Sequence, residues 1–317
     1  MTTTQRAVDT VVGRPTLGQL ARAEIRYTLR NPLLWVGALG AAALSWGPVV
    51  DGLVDDVAGV IDNYVLLDFG TGVLALVAFL VANWAAQRER PATTAELFSA
   101  APARRWDRTV GLLAAAIVPT IQALVITIGT HLLVWRAGGV QLGVTRAVTL
   151  QPTPLEALGA PLAVGCAFVA GVALARLIRS RAVGALVGLI GWFLFHFTYW
   201  VWLTAPFGLF AVSRSALTSA DLGREVSGAE EARWPAISPP DEFTPTYWGI
   251  DRDLGLYGLH LLYVVGVITA LCGLALVRSG RDRRSWRLLG GGLVIAGVAV
   301  VVELLVHDGA RVWMGYM

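Results

Sequence analysis

The chain has 317 residues, of which 56% are hydrophobic and only 15% charged, with a formal net charge of +3. Soluble chains of this length carry nearer a quarter charged residues, and several runs here exceed the roughly 18 apolar residues that mark a membrane span. All 25 basic residues are arginine, which excludes a lysine-bearing phosphate loop and a Schiff-base lysine.

An all-α, polytopic membrane protein is therefore expected. The pI near 9.1 comes from arginines gathered on one side of the membrane, so no nucleic-acid partner is expected. Cys166 and Cys272 fall inside apolar runs and read as small apolar filler, with neither a disulfide nor a zinc site indicated.

Residues 1–15 are polar, with scattered charge and no apolar h-region, which predicts no cleavable signal peptide. Thr16 and Gln19 make a capping pair that opens an amphipathic helix. Leu17, Leu20, Ala21, Ile25, Tyr27 and Leu29 share one side of it, and Arg22, Arg26 and Arg30 lie opposite. Such a helix is expected to lie on the inner leaflet of the bilayer, and Asn31-Pro32 to end it. Residues 1–31 are thus the cytoplasmic N-terminus and 32–306 the transmembrane domain.

Seven candidate spans follow, at 33–50, 64–86, 109–135, 157–178, 182–205, 256–277 and 288–306. The first is expected to stop near Pro48 and the third to tilt or kink at Pro119. The N-terminus and the connections on its side hold 18 arginines, and the alternate connections hold 7. That bias predicts a cytoplasmic N-terminus and an extracellular tail, 307–317.

Between the second and third spans, residues 87–108 form a polar segment flanked by Arg88, Arg90, Arg104, Arg105 and Arg108. Pro91 leads into a short helix that Thr93 and Glu96 cap and Pro102 ends, with Leu97 and Phe98 as its apolar side. It reads either as a docking helix for another protein or as a solvated connector. The long outer connection, 206–255, is rich in acids, proline and aromatic residues, and a folded external cap is expected there.

No H-E-x-x-H, no G-x-S-x-G and no metal-ligand spacing is present, so no catalytic, metal or cofactor residues are assigned and no enzyme is expected. Asp68 and Glu303 lie near the outer ends of their spans and are expected to snorkel outward. His196 sits among Trp192, Phe193, Phe195, Phe197, Tyr199, Trp200 and Trp202. The cluster is either an interface girdle or a greasy pathway for a large amphipathic solute, with Phe195, His196, Tyr199 and Asp68 along it. Gly184 and Gly188 make a G-x-x-x-G suited to close helix packing within the chain or across a dimer.

Together these features resemble the permease subunit of ABC-2-type exporters. An amphipathic helix ends in Arg30-Asn31-Pro32 ahead of the first span. The 87–108 segment is similar to that family's coupling segment: Arg88-Glu89-Arg90, then Thr94, Glu96-Leu97, and Ala100 with Pro102. Gly111 falls early in the third span, and the large outer loop follows the fifth. Thr93 stands where the family usually has glycine, and a seventh span is added to the family's six-span core. The resemblance implies a plasma-membrane exporter of an amphipathic, peptide-like or lipid-like solute. A separate ABC ATPase, which binds the ATP and Mg, would grip Arg88, Glu89, Arg90, Thr94, Glu96, Leu97, Phe98, Arg104 and Arg105. The pathway would form with a second permease copy or a related chain. The alternative class is a non-transporting scaffold or sensor with an extracellular ligand-binding cap.

Overall fold

Polar caps fix where the first two helices begin. In the computed structural model, which describes residues 16–54, 69–89, 103–142, 148–201, 217–221, 236–238, 248–252, 254–280 and 282–306, the Thr16 hydroxyl accepts from the Gln19 amide and the Gln19 side chain accepts from the Thr16 amide. That reciprocal pair opens α1 (Leu17–Leu29). The Asn31 side chain accepts from the Leu33 amide at 3.0 Å, and Pro32 takes the first helical position of α2 (Pro32–Val54). One side of α1 is apolar and the arginines Arg22 and Arg26 are exposed, but its packed face centres on Glu24 and Thr28.

Pro48 does not end α2. The helix continues to Val54, and Trp46 ties it sideways by donating its indole N–H to the Ile126 carbonyl at 3.1 Å. The third span instead breaks into α4 (Arg105–Ala114) and α5 (Ile117–Arg136). Pro119 has no N–H to offer the Ala115 carbonyl, and Val118 takes that carbonyl instead, at 3.1 Å. The amides of Ala115 and Ala116 likewise reach back three residues, to Leu112 and Leu113. The kink expected at the proline therefore falls one turn before it, as a tightened 3-10 step.

The centre of the bundle is α3 (Phe69–Gln87) packed on α6 (Gly159–Leu177). Leu74, Ala75, Ala78 and Ala82 of α3 meet Val164, Phe168 and Val172 of α6, with Leu34 and Ala41 of α2 behind them. Gly171 lies directly on the Phe79 carbonyl, so the two backbones touch there. Lipid tails are as apolar as leucine, so association in a membrane depends on such close packing of small residues. Another apolar helix, α7 (Arg181–Val201), leans on α3, and the described residues close with a tight hairpin of α8 (Leu254–Ser279) and α9 (Arg283–Val306).

Six helical segments among the described residues are long and apolar enough to cross a membrane: Pro32–Val50, Gly70–Gln87, Arg105–Arg136, Glu156–Leu177, Leu254–Ser279 and Arg283–Val306. The protein is a multi-pass helical membrane protein. Strands, absent from the sequence reading, occupy two connections. A hairpin of β1 (Val140–Leu142) and β2 (Val148–Leu150) follows α5. In the long connection β5 (Trp248–Arg252) lies between β3 (Leu217–Asp221) and β4 (Ala236–Ser238), antiparallel to both.

Gly171→Val tests the central contact. A side chain there would overlap the Phe79 carbonyl, and the variant is expected to lose about 1–3 kcal/mol of stability in equilibrium unfolding in detergent. Gly297→Ala, where nothing lies within 4 Å of the added carbon, is expected to unfold like the wild type.

Candidate functional site

The last turn of α3 is polar inside an otherwise apolar helix. Asn83 is fully buried, and its amide donates to the Gly171 carbonyl of α6 at 3.3 Å. One turn on, the Gln87 amide donates to Asn83 Oδ1 at 3.0 Å. Buried amides in a membrane span must find such partners, because no water is present to replace them.

Glu89 and Arg88, just past α3, reach in different directions. The Glu89 carboxylate accepts from Arg108 Nε of α4 at 3.1 Å and lies 3.4 Å from a guanidinium nitrogen of Arg176, at the end of α6. The Arg176 side chain is only 1% exposed and also donates to the Ala86 carbonyl at 3.3 Å. Arg88 pairs with Glu24 of α1, and its guanidinium lies 4.8 Å from the centre of the Tyr27 ring, within cation–π range. Burial pushes the Glu24 carboxyl above the usual range, and the charge and hydrogen bond of Arg88 pull it back.

The remaining helices join the same node. Arg181, at the start of α7, donates to the Gln87 carbonyl at 3.3 Å. Trp106 of α4 donates to the Ser285 hydroxyl of α9 at 3.2 Å, and the Thr109 and Ser279 hydroxyls of α4 and α8 lie 2.8 Å apart. On the other side of α4, Gly111 lets the α1 backbone approach at Leu20 and Ala21. Seven helices therefore meet at one end of the bundle.

This node holds both roots of the polar segment. Arg108 bonds Glu89 on the outgoing root and the Ala103 carbonyl on the returning one, at 2.8 Å. Glu89 and Ala103, the described residues that flank 90–102, thus lie at one place. Arg104 and Arg105 are exposed where α4 begins. Arg90, Thr94, Glu96, Leu97 and Phe98 lie outside the described residues.

Of the other sequence candidates, Gly184 rests on the Asn83 and Gln87 amides and Gly188 lies under the Phe79 ring, so both face α3 of the same chain. Asp68 and the side chains of Phe195, His196 and Tyr199 lie outside the described residues. An apolar slot of about 210 Å³ runs between α7 and α8 over α6, lined by Ala167, Ala170, Leu174, Gly188, Trp192 and Leu271 among others. Glu303 does not snorkel. It is 1% exposed and turned onto His260 of α8, because α8 offers its carboxylate a buried partner.

Glu24, Asn83, Gln87 and Arg176 were missed by the sequence reading. Each carries a signal that a single-residue scan can find, a polar group inside an apolar stripe. Among the described residues no cluster of His, Cys, Asp or Glu could hold a metal ion. Compared with known proteins, the chain matches no family model and no curated protein.

Replacing Glu89 by Gln removes the carboxylate between two arginines, one of them buried. The expected loss is roughly 3 kcal/mol, read by equilibrium unfolding in detergent. Glu24 gives a pH signature. Its folded-state pKa is raised, so its contribution is fully present below the ordinary carboxylate range and fades as pH rises through the raised value. Glu24→Gln, a permanent stand-in for the protonated acid, is therefore expected to gain melting temperature over wild type at alkaline pH. At acid pH the two should converge, and an equal offset at both would contradict the assignment.

Proposed function

We propose that the chain is the permease subunit of an ABC-2-type exporter in the plasma membrane, with α7 as a seventh span. Its N-terminus and arginine-rich end face the cytoplasm, and its C-terminal tail lies outside. A separate ABC ATPase grips the segment 90–102, and the solute is amphipathic, with its apolar part received in the slot between α7 and α8. The pathway is completed by a second permease copy or a related chain.

The single observation that carries this reading is the bridging of Glu89 and Ala103 by Arg108. A force applied to a segment whose two roots are joined cannot be absorbed by spreading them. It passes into α3 and α4 together, and through Arg176, Arg181, Ser279 and Ser285 into the other helices of the node. The absence of lysine adds to the case, since a motor with a lysine-bearing phosphate loop must be another polypeptide. The order of motifs along the chain is similar to the exporter family in the same places. A second reading, a non-transporting sensor with an external cap, is favoured by one feature, the three-stranded sheet of β3, β5 and β4.

Co-purification with candidate ATPases distinguishes them. Glu96→Ala, Leu97→Ala and Phe98→Ala are each expected to weaken ATPase binding by at least about tenfold, or 1.4 kcal/mol, and to lower transport with it. Undiminished binding and transport would overturn the assignment, and ligand binding without any ATPase would favour the sensor. Arg108→Gln is expected to separate the two steps. The ATPase should still bind, because the handle is intact, while transport falls because its roots are no longer joined.

A further inference from the structure

The last described helix, α9, packs on α8 along one narrow seam. Ser285, Gly292, Ala296, Ala299 and Glu303 are its buried residues, while Leu293, Val294, Val298, Val301 and Leu305 are exposed. Gly266 and Gly273 of α8 and Gly292 of α9 leave no room for a side chain, so the two backbones touch along the seam. Packing of this kind is strong at close range and is lost over a small separation.

At the end of the seam opposite the arginines lies a buried pair of ionisable side chains. His260 Nδ1 is 3.2 Å from both carboxylate oxygens of Glu303, and the side chains are 0% and 1% exposed. The Tyr263 ring centre is 5.6 Å from that of His260. Tyr257, also buried, donates to the Glu156 carbonyl at 3.0 Å, and Cys166 of α6 packs in the same cluster. The Glu156 carboxylate is itself held by the amide and hydroxyl of Thr153. With one proton between them, His260 and Glu303 are neutral overall, as imidazole and acid or as imidazolium and carboxylate. A second proton, or none, leaves a net charge in a site closed to water, which burial penalises.

We propose that His260 and Glu303 form an intramembrane proton-binding site that latches the end of α9 to α8 when it holds one proton, and releases it when it holds two or none. The ligand is a proton, delivered from the aqueous face nearest that end. With the orientation proposed above, that face is the outside. The site itself depends only on α8 and α9 and not on the exporter reading.

The test uses the full chain in lipid nanodiscs, where both faces see one pH and orientation does not matter. Spin labels are placed at the exposed Leu262 and Leu305, with Cys166 and Cys272 replaced by alanine. Pulsed distance measurements are made in steps from about pH 3 to about pH 10, a span wider than the ordinary carboxyl and imidazole ranges together. A longer distance, minor within an intermediate part of that span and dominant at both ends, is expected for His260 with Glu303. The neutral pair His260→Asn with Glu303→Gln is expected to keep one distribution at every pH. A wild-type distribution indifferent to pH, or the same response in the neutral pair, would overturn the proposal. Melting of the unlabelled chain gives a second reading, taken relative to the neutral pair. Glu303→Gln should lose only the alkaline fall in stability and His260→Asn only the acid one, and identical profiles in both would refute the site.

Discussion

One carboxylate, Glu89, holds the arginine-rich end together. It stands where α3 leaves the membrane and takes one guanidinium from α4 and one from α6. Without it, Arg108 and Arg176 would be like charges pressed into a partly buried corner, and the polar segment would have no fixed base. The surrounding bonds of Arg88 and Arg181 act in the same place, tying α1 and α7 to the end of α3. The bundle is thus closed by ion pairs at this end and by small-residue packing through its middle.

That division follows from the solvent. In the apolar interior there is little gain from bringing one leucine to another, so helices settle where glycine and alanine let backbones approach. Gly171 on Phe79 and the glycines between α8 and α9 are such places. At the membrane edge, charge can be used because water is near enough to share the cost of gathering it. Glu24 with Arg88 marks the limit of that help, since burial still raises the Glu24 carboxyl and the guanidinium only partly offsets it.

Local patterns were the legible part of the fold. The Thr16–Gln19 cap, the Asn31-Pro32 break and the apolar runs are each written within a few residues, and the helices follow them. The node was legible only in its outline. Arg88, Glu89 and Arg108 stand out as charges beside a membrane span, but Arg176 meets Glu89 across 87 residues of sequence, and nothing local announces that pairing. Glu303 was misplaced for the same reason. A carboxylate near a span end reads as one that reaches for water until its partner 43 residues earlier is known. The helix break before Pro119 was displaced by a turn because a proline disturbs the carbonyl behind it, not its own position.

The step at Ala115 and Ala116 has a mechanical meaning. A continuous helix resists bending because every turn is stitched to the next in one pattern, whereas here the pattern changes to three-residue steps. The ten residues of α4 are thereby set off from α5 as a separate short arm. Its far end carries Arg108, so whatever pulls on the polar segment meets this short lever before it meets α5.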